Sequence, residues 1–190
     1  VTTLQIDIKL KKTRKLPYRA INLRKITVKF AVENNMSLTV ESEGRKIKID
    51  SKIVELMNSY KQLNGRDCEA GGILIGRENK DSGNLIIEYA TEPYEKDKRT
   101  RNSYIRKDKR HMQLFNELYN ENNSIYAYVG EWHTHPEGYP SYSFMDINNW
   151  KQIAKINQDK NKVYYHIIVG TNEIRMWKYR HGQKVATRIL

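Results

Sequence analysis

The segment from residue 125 to residue 146 constrains the possible fold and function of this chain most, because it joins an apolar strand pattern to closely spaced histidines. Residues Ile125–Trp132 are rich in aromatic and aliphatic side chains, which predicts a β-strand. Alternate side chains of a strand project to the same face. His133 and His135 should therefore point the same way, with Thr134 on the opposite face. Two imidazoles that project together can bind one metal ion.

A loop and a helix are predicted after the histidines. Two prolines and a glycine within residues 136–140 end the strand. Ser143 is a suitable N-cap for a helix over residues 144–157. Asp146 then lies in the first turn of that helix, where the helix dipole favours a negative charge. The end of a strand and the start of a helix together form a rigid base for a site.

These residue types suit a catalytic zinc site. Two imidazoles and one carboxylate leave the fourth position of a tetrahedral zinc open for water. We predict one Zn²⁺ per chain, bound by His133, His135 and Asp146. Glu69, which precedes a Gly-Gly turn, is the predicted general base, and Ser143 is the predicted donor to the developing oxyanion. An ordinary capped surface loop would account for Ser143 and Asp146, but it leaves the paired histidines unexplained.

The spacing resembles the JAMM motif of the MPN+ (JAB-domain) metalloproteases. His-Thr-His-Pro at 133–136 is followed by six residues, Ser143, two residues and Asp146, and Glu69 stands at the place of the distant glutamate. The resemblance implies an α/β, cytidine-deaminase-like fold with a mixed curved β-sheet sandwiched by helices. It also implies cleavage of peptide or isopeptide bonds after the C-terminus of ubiquitin or ubiquitin-like proteins. One departure is Ser-Tyr-Ser at 141–143, where many members have a proline before the serine.

Further segments resemble the small bacterial JAB proteases of CBASS antiphage operons. They are the segments at 69–76, 88–93 and 130–136, together with Trp150. This resemblance implies that the protein reverses an E1–E2-type conjugation in antiphage defence. Its partner would be the C-terminal tail of a cGAS/DncV-like nucleotidyltransferase (CD-NTase) or of a ubiquitin-like protein, with a functional link to an E1–E2 fusion protein.

Other functions remain open. A processing peptidase for a ubiquitin-like sulfur-carrier protein would use the same site residues. A non-catalytic MPN scaffold usually lacks one or more motif residues, whereas this chain has them all. A nucleic-acid-binding module would use the basic N-terminal half, and its binding would fall steeply with salt.

Positive charge is concentrated near the N-terminus. The net charge is +12, and residues 1–50 contain twelve Lys and Arg against five Asp and Glu. We divide the chain into a basic N-terminal extension, residues 1–45, expected to form strands packed on the core, and a protease domain, residues 46–190. A basic face can attract nucleic acid or an acidic protein. The sequence has no aromatic residues in a recognisable RNA-binding arrangement. The predicted chemistry does not require nucleic acid.

We expect a cytoplasmic protein with no membrane partner. No apolar run approaches the roughly 20 residues that a membrane-spanning helix requires, and the N-terminus lacks a signal-peptide pattern. A single cysteine, Cys68, excludes an intrachain disulfide and fits a reducing compartment. We interpret Cys68 as a buried residue at the start of a strand. His166 is expected to be a hydrogen-bonded core residue, and His111 a packing or surface residue.

The other predicted elements alternate along the chain. The strands are expected at 4–10, 26–32, 37–41, 45–50, 72–76, 85–90, 163–169, 173–179 and 185–190, and the helices at 51–63 and 107–119. Ser51 is the expected cap of the first helix and Gly65 its end. The polar segment 92–110 is expected to be a flexible loop that faces the substrate. Tyr104 and Arg106 are its candidate substrate-binding residues, beside which a tail could add as a strand.

Overall fold

The computed structural model describes residues 37–156 and 159–190. The strands predicted at 4–10 and 26–32, and most of the predicted basic extension, lie outside the described residues. The predicted boundary between an extension and a protease domain at residues 45 and 46 therefore stays a prediction.

Ten strands and three helices are found within the described residues. The strands are β1 (Leu38–Ser42), β2 (Arg45–Ile49), β3 (Gly71–Glu78), β4 (Leu85–Ala90), β5 (Lys98–Thr100), β6 (Ser103–Ile105), β7 (Tyr126–Thr134), β8 (Val163–Val169), β9 (Ile174–Arg180) and β10 (Thr187–Arg188). The helices are α1 (Ser51–Ser59), α2 (Arg110–Glu121) and α3 (Phe144–Ile156).

Eight of these strands form one mixed sheet in the order β1-β2-β4-β3-β7-β8-β9-β10. The pairs β2–β4 and β7–β8 are parallel, and the remaining neighbours are antiparallel. Strands β5 and β6 form a separate hairpin. The predicted α/β class with a mixed sheet is confirmed.

Helices cover both faces of the sheet. Ile53 and Met57 of α1 join one apolar cluster with Trp132 of β7 and Ile167 of β8. On the other face, α3 packs on β8 and β9, and α2 packs on β3 and β7. Side chains alternate between the faces, since Ile168 belongs to the α3 cluster while its neighbour Ile167 belongs to the α1 cluster. The expected sandwich of helices around a sheet follows from this alternation.

The first two strands agree with the strands predicted at 37–41 and 45–50, whereas the first helix has a different cap from the one predicted. Strands β1 and β2 are joined at Glu43 and Gly44, whose φ values are 54° and 75°. Two positive φ values in a two-residue loop match the right-handed twist of the paired strands. The cap of α1 is Asp50 rather than Ser51, because the Asp50 carboxylate accepts the backbone N–H of Lys52 at 3.1 Å.

The end of α1 and the Gly-Gly segment also differ from the predictions. The helix ends at Ser59, since the N–H of Tyr60 bonds to the carbonyl of Met57 and closes the last turn tightly. Gly71 and Gly72 begin β3 and do not form a turn. A Cβ on Gly71 would lie 2.6 Å from ring atoms of Tyr104, and one on Gly72 would collide with the backbone of Thr91. Glycine is thus needed for close packing.

The polar segment 92–110 is not loop throughout. It contains the β5–β6 hairpin and the start of α2. None of the helices in the described ranges, 37–156 and 159–190, is long and apolar enough to cross a membrane.

Candidate active site

The sheet topology places the predicted site residues at one edge. Strand β3 runs antiparallel to β7, with Gly71 opposite His133. The residues before β3 therefore lie beside the residues that end β7, which places Glu69 close to the histidines. Strand β8 runs parallel to β7, and the N–H of His135 continues their ladder by donating to the carbonyl of Val169 at 3.0 Å.

The structure brings the three predicted metal ligands together. The Nε2 atoms of His133 and His135 are 3.0 Å apart. Asp146 reaches both rings, with Oδ1 3.3 Å from Nε2 of His133 and Oδ2 3.6 Å from Nε2 of His135. One ligand atom from each residue lies within 4.8 Å of the others. The side chains of these three residues are only 9–14% exposed to solvent.

The start of α3 fixes the carboxylate. The backbone N–H of Ser143 donates to Oδ2 of Asp146 at 2.6 Å, and the N–H of Asp146 donates to Oγ of Ser143 at 3.2 Å. This reciprocal pair resembles a capping box and confirms that Ser143 caps the helix. The Ser143 side chain also forms a hydrogen bond that helps to keep the Asp146 carboxylate ionised.

Burial and mutual contact shift the pKa values of the cluster. Burial would lower the pKa of His133, but the adjacent Asp146 carboxylate outweighs it and raises that pKa. Burial and the neighbouring His133 lower the pKa of His135. Burial would raise the pKa of Asp146, but bonds from His133 and Ser143 hold it well below its usual range. The cluster therefore presents an ionised carboxylate and at least one neutral imidazole.

Glu69 lies in the same cleft and is held by the hairpin. Its backbone N–H donates to the carbonyl of Thr100 at 2.7 Å, and its carbonyl accepts Nε of Arg99 at 2.6 Å. The residue is 6% exposed. Burial raises the pKa of the Glu69 carboxyl to about 7, against the opposing attraction of His133. A carboxylate with a pKa near neutrality suits a general base.

Thr134, between the two histidines, ties the segment before β3, which contains Glu69, to β7. Its hydroxyl oxygen accepts the N–H of Ala70 at 2.9 Å, and the hydroxyl donates to the side chain of Gln62 at 3.1 Å. The Gln62 amide in turn donates to the carbonyls of Asp67 and Arg101. Alternation along β7 predicted the direction of Thr134, whereas no local pattern indicated Gln62 as its partner.

A cavity of about 510 Å³ opens over the metal cluster. The cluster, Glu69, Ser143 and Tyr104 line it. Arg106 lies farther along, in an adjoining cavity that shares Tyr104 with the first. Arg106 donates twice to one carboxylate oxygen of Glu131, at 3.0 and 2.8 Å, a pair that the sequence did not indicate. Substrate binding by Tyr104 and Arg106 stays a prediction.

Two expectations about other residues are wrong. Cys68 is exposed, because the chain before β3 runs along the surface beside Arg99. His166 is buried as expected, but neither ring nitrogen has a hydrogen-bond partner among the described residues. Its ring is stacked instead on Trp150, which belongs to the apolar cluster between α3 and the sheet. His111 is a buried packing residue, as predicted. Trp132 is buried on the opposite face from His133.

The donor set fits a zinc ion. Two Nε2 atoms and a carboxylate oxygen converge on one point at the base of an open cavity. The two ring nitrogens lie 3.0 Å apart. Neutral imidazoles and carboxylates are ordinary zinc ligands, and three protein ligands are typical of catalytic zinc.

The fold and this cluster correspond to a known domain class. Residues 59–180 match the family described as prokaryotic homologs of the JAB domain. The chain therefore belongs to the JAB-domain family. A solution structure of a protein from Desulfitobacterium hafniense agrees in fold, with a TM-score of 0.51 and 18% identity, over 75% of this chain and 88% of that one.

Curated relatives resemble the chain more closely in sequence. A protein of Escherichia coli (strain TW11681) named CD-NTase/cGAS isopeptidase is 37% identical over 116 residues, which are 61% of this chain and 73% of that protein. Proteins with the same name from Pseudomonas aeruginosa and Vibrio cholerae are 32% and 31% identical, over 64% and 66% of this chain and 75% and 77% of those proteins. The predicted resemblance to this group of JAB proteins is confirmed.

Proposed function

We propose that the chain is a zinc-dependent isopeptidase. It cleaves after the C-terminal residue of a cGAS/DncV-like nucleotidyltransferase tail, or of a ubiquitin-like tail, and so reverses an E1–E2-type conjugation in bacterial antiphage defence. The observation that carries the proposal is the convergence of His133, His135 and Asp146 beside Glu69 and Ser143 in one cleft. Membership of the JAB family and three relatives named CD-NTase/cGAS isopeptidase support a hydrolase of this kind.

The residues divide the chemistry between them. His133, His135 and Asp146 would hold the zinc ion, which when bound supplies Lewis-acid activation of a water and of the scissile carbonyl. Glu69 accepts a proton from the attacking water and delivers it to the leaving amine nitrogen as the carbon–nitrogen bond breaks. The products are a carboxylate on the tail and a free amine on the target. The hydroxyl of Ser143 donates a hydrogen bond to the carbonyl oxygen as negative charge develops there.

The cleft also offers a route for the tail. One wall is the β5–β6 hairpin, with Ser103 and Tyr104, and the other is the start of α3, with Met145 and Asn149. The adjoining cavity continues between the same two elements. An extended tail would lie between them, and β6 could add main-chain hydrogen bonds to it.

The test is cleavage of a fusion between a CD-NTase C-terminal tail and a reporter protein. We expect cleavage directly after the last tail residue, inhibited by a zinc chelator and restored by added zinc. Glu69→Gln should lose at least about 100-fold in rate because the base is removed. Glu117→Gln is the matched control, since Glu117 is exposed on α2, and it should retain full activity.

Other outcomes assign other functions. Cleavage of a ubiquitin-like sulfur carrier, with the CD-NTase fusion left intact, would favour the processing peptidase. A protein that binds no zinc and cleaves neither substrate would favour the MPN scaffold.

A further inference from the structure

Asp97 lies at the base of the hairpin formed by β5 and β6. Its side chain is completely buried, although the residues on both sides, Lys96 and Lys98, are exposed. A buried carboxylate is costly unless it is fully hydrogen-bonded. Asp97 neither lines the cleft nor belongs to the metal cluster. The buried Asp97 carboxylate must therefore have a role other than the chemistry of the cleft.

Five donors surround the Asp97 carboxylate. They are the backbone N–H groups of Lys107 (2.7 Å) and Asp108 (2.9 Å) on Oδ1, and the N–H of Tyr94 (2.8 Å), the hydroxyl of Tyr104 (3.0 Å) and Nε2 of His111 (2.8 Å) on Oδ2. Tyr94 precedes the hairpin, whereas Lys107 and Asp108 follow it. One carboxylate thus joins the two ends of the hairpin and also binds a residue of its second strand.

The electrostatics agree with an ionised Asp97. Burial alone would raise the pKa of Asp97, but the N–H groups of Asp108, Tyr94 and Lys107, with the ring of His111, hold it well below its usual range. Hydrogen bonds to a charged acceptor are stronger than those between neutral groups. The five contacts together make a rigid junction.

His111 connects this junction to the sheet. The Thr91 hydroxyl oxygen accepts the N–H of Ile73 at 2.9 Å and lies 2.5 Å from Nδ1 of His111. Because the Asp97 carboxylate can only accept, Nε2 of a neutral His111 carries the proton, and Nδ1 accepts a hydrogen bond from the Thr91 hydroxyl. Burial lowers the pKa of His111, in agreement with a neutral ring. The chain of bonds runs from β3 through Thr91 and His111 to Asp97.

The hairpin that Asp97 closes carries parts of the candidate site. Thr100 and Arg99 bind the backbone of Glu69 on both sides. The Tyr104 ring packs so closely on Gly71 that a Cβ there would lie 2.6 Å from it. Tyr104 also lines both cavities of the cleft. Displacement of the hairpin would therefore widen the groove that we assign to the tail.

We propose that Asp97 is a positioning residue that holds the β5–β6 hairpin against the cleft and thereby sets the affinity for the substrate tail. The part that concerns the tail rests on the proposed isopeptidase function, whereas the ordering of the hairpin does not. Asp97 acts through Tyr104 and the hairpin backbone, and it makes no contact with reacting atoms.

The test compares the zinc-loaded parent chain with Asp97→Asn and Tyr104→Phe. The side chain of asparagine has one accepting oxygen and one NH2 group that only donates, so one of the two sets of donors would face another donor. Tyr104→Phe removes a single hydroxyl from the junction and keeps the ring. Asp81→Asn is the matched control, because Asp81 is exposed in the turn between β3 and β4. Amide hydrogen exchange is followed in peptides from the hairpin and from β7 and β8.

We expect Asp97→Asn to speed exchange about tenfold or more in peptides covering residues 98–106, with β7 and β8 unchanged. The KM for the tail fusion should rise about tenfold, and Tyr104→Phe should give a smaller rise of about threefold, since it removes one bond of five. Zinc content should stay at the parent level. A merely structural role would instead reduce the active fraction, which lowers the apparent kcat and leaves KM unchanged.

The outcomes separate this proposal from the proposed function. Unchanged hairpin exchange in both variants would overturn the positioning role, whether or not the parent cleaves the tail. Faster exchange in all peptides of Asp97→Asn, with Tyr104→Phe identical to the parent, would overturn it as well. A parent chain that cleaves no tail fusion would refute the isopeptidase function, while localised exchange in the hairpin would still support its closure by Asp97.

Discussion

The imidazole of His166 lies flat on the indole of Trp150, with 4.3 Å between ring centroids and 7° between the planes. The contact joins β8 to α3, the helix that carries Asp146. Both ring nitrogens of His166 are buried without a hydrogen-bond partner in residues 37–156 and 159–190. Burial lowers the pKa of His166 well below its usual value. The ring is therefore neutral in the folded protein.

Stability should depend on pH through this histidine. Below the unfolded-state pKa of about 6.5, the unfolded chain binds a proton that the folded chain excludes, so folding loses up to about 1.4 kcal/mol per pH unit. His166→Phe keeps the stacking and should remove this loss. Urea denaturation of both proteins between pH 7.5 and 5 measures the effect. Parallel curves for parent and variant would contradict it, and His181→Asn, at an exposed position, is the control.

Zinc binding should depend on the clustered histidines. His135→Ala removes one of three ligands and should weaken zinc binding by more than about 100-fold. His181→Ala should bind zinc as the parent does, because His181 is exposed and outside the cluster. Competition with a chromophoric chelator measures both affinities. Equal zinc affinity in His135→Ala and the parent would exclude His135 as a ligand.

The rate of cleavage should rise with pH as Glu69 loses its proton. The pKa of Glu69 is raised to about 7 by burial when no cation is bound, and a nearby zinc ion would lower it. We therefore expect kcat/KM to fall about tenfold per pH unit on an acid limb whose midpoint lies at or below pH 7. Zinc content measured at each pH separates this effect from loss of metal. A flat profile from pH 5 to 8 with full zinc would argue against Glu69 as the base.

The buried hydroxyl of Thr134 should contribute to stability. Thr134→Val keeps the side-chain volume but leaves the N–H of Ala70 and the oxygen of Gln62 without their partner. The loss should be about 1–3 kcal/mol of unfolding free energy. Thr134→Ser retains the hydroxyl and should recover most of it. Chemical denaturation of the two variants gives the comparison, and equal stability would show that these bonds contribute little.

Local sequence patterns predicted the parts of the site that depend on local geometry. The alternation of β7 placed both histidines on one face and Thr134 on the other. Ser143 and Asp146 are three residues apart, so the first turn of α3 brings them together whatever surrounds it. These relationships need only strand and helix geometry, which the residue types of the segment already favour.

The remaining features depend on contacts between distant segments. The partners of Asp97 lie between 3 and 14 residues away and meet only when the hairpin closes. Gly71 and Gly72 had suggested a turn, but the constraint on them is the approach of Tyr104 and Thr91. Asp50 and Ser51 are both good helix caps, so a shift of one residue could not be decided from the sequence.

The main-chain contact that holds Glu69 is separate from the hairpin residues that would contact a substrate tail. The N–H of Glu69 bonds to a main-chain carbonyl of the hairpin, at Thr100, which any residue could supply. Asn102 and Ser103, at the tip of the same hairpin, present side chains to the cleft. Under the proposed function, substitutions at the tip would therefore change which tails are accepted while the proposed general base stays in place. An enzyme built in this way can acquire new targets through small changes at one loop tip.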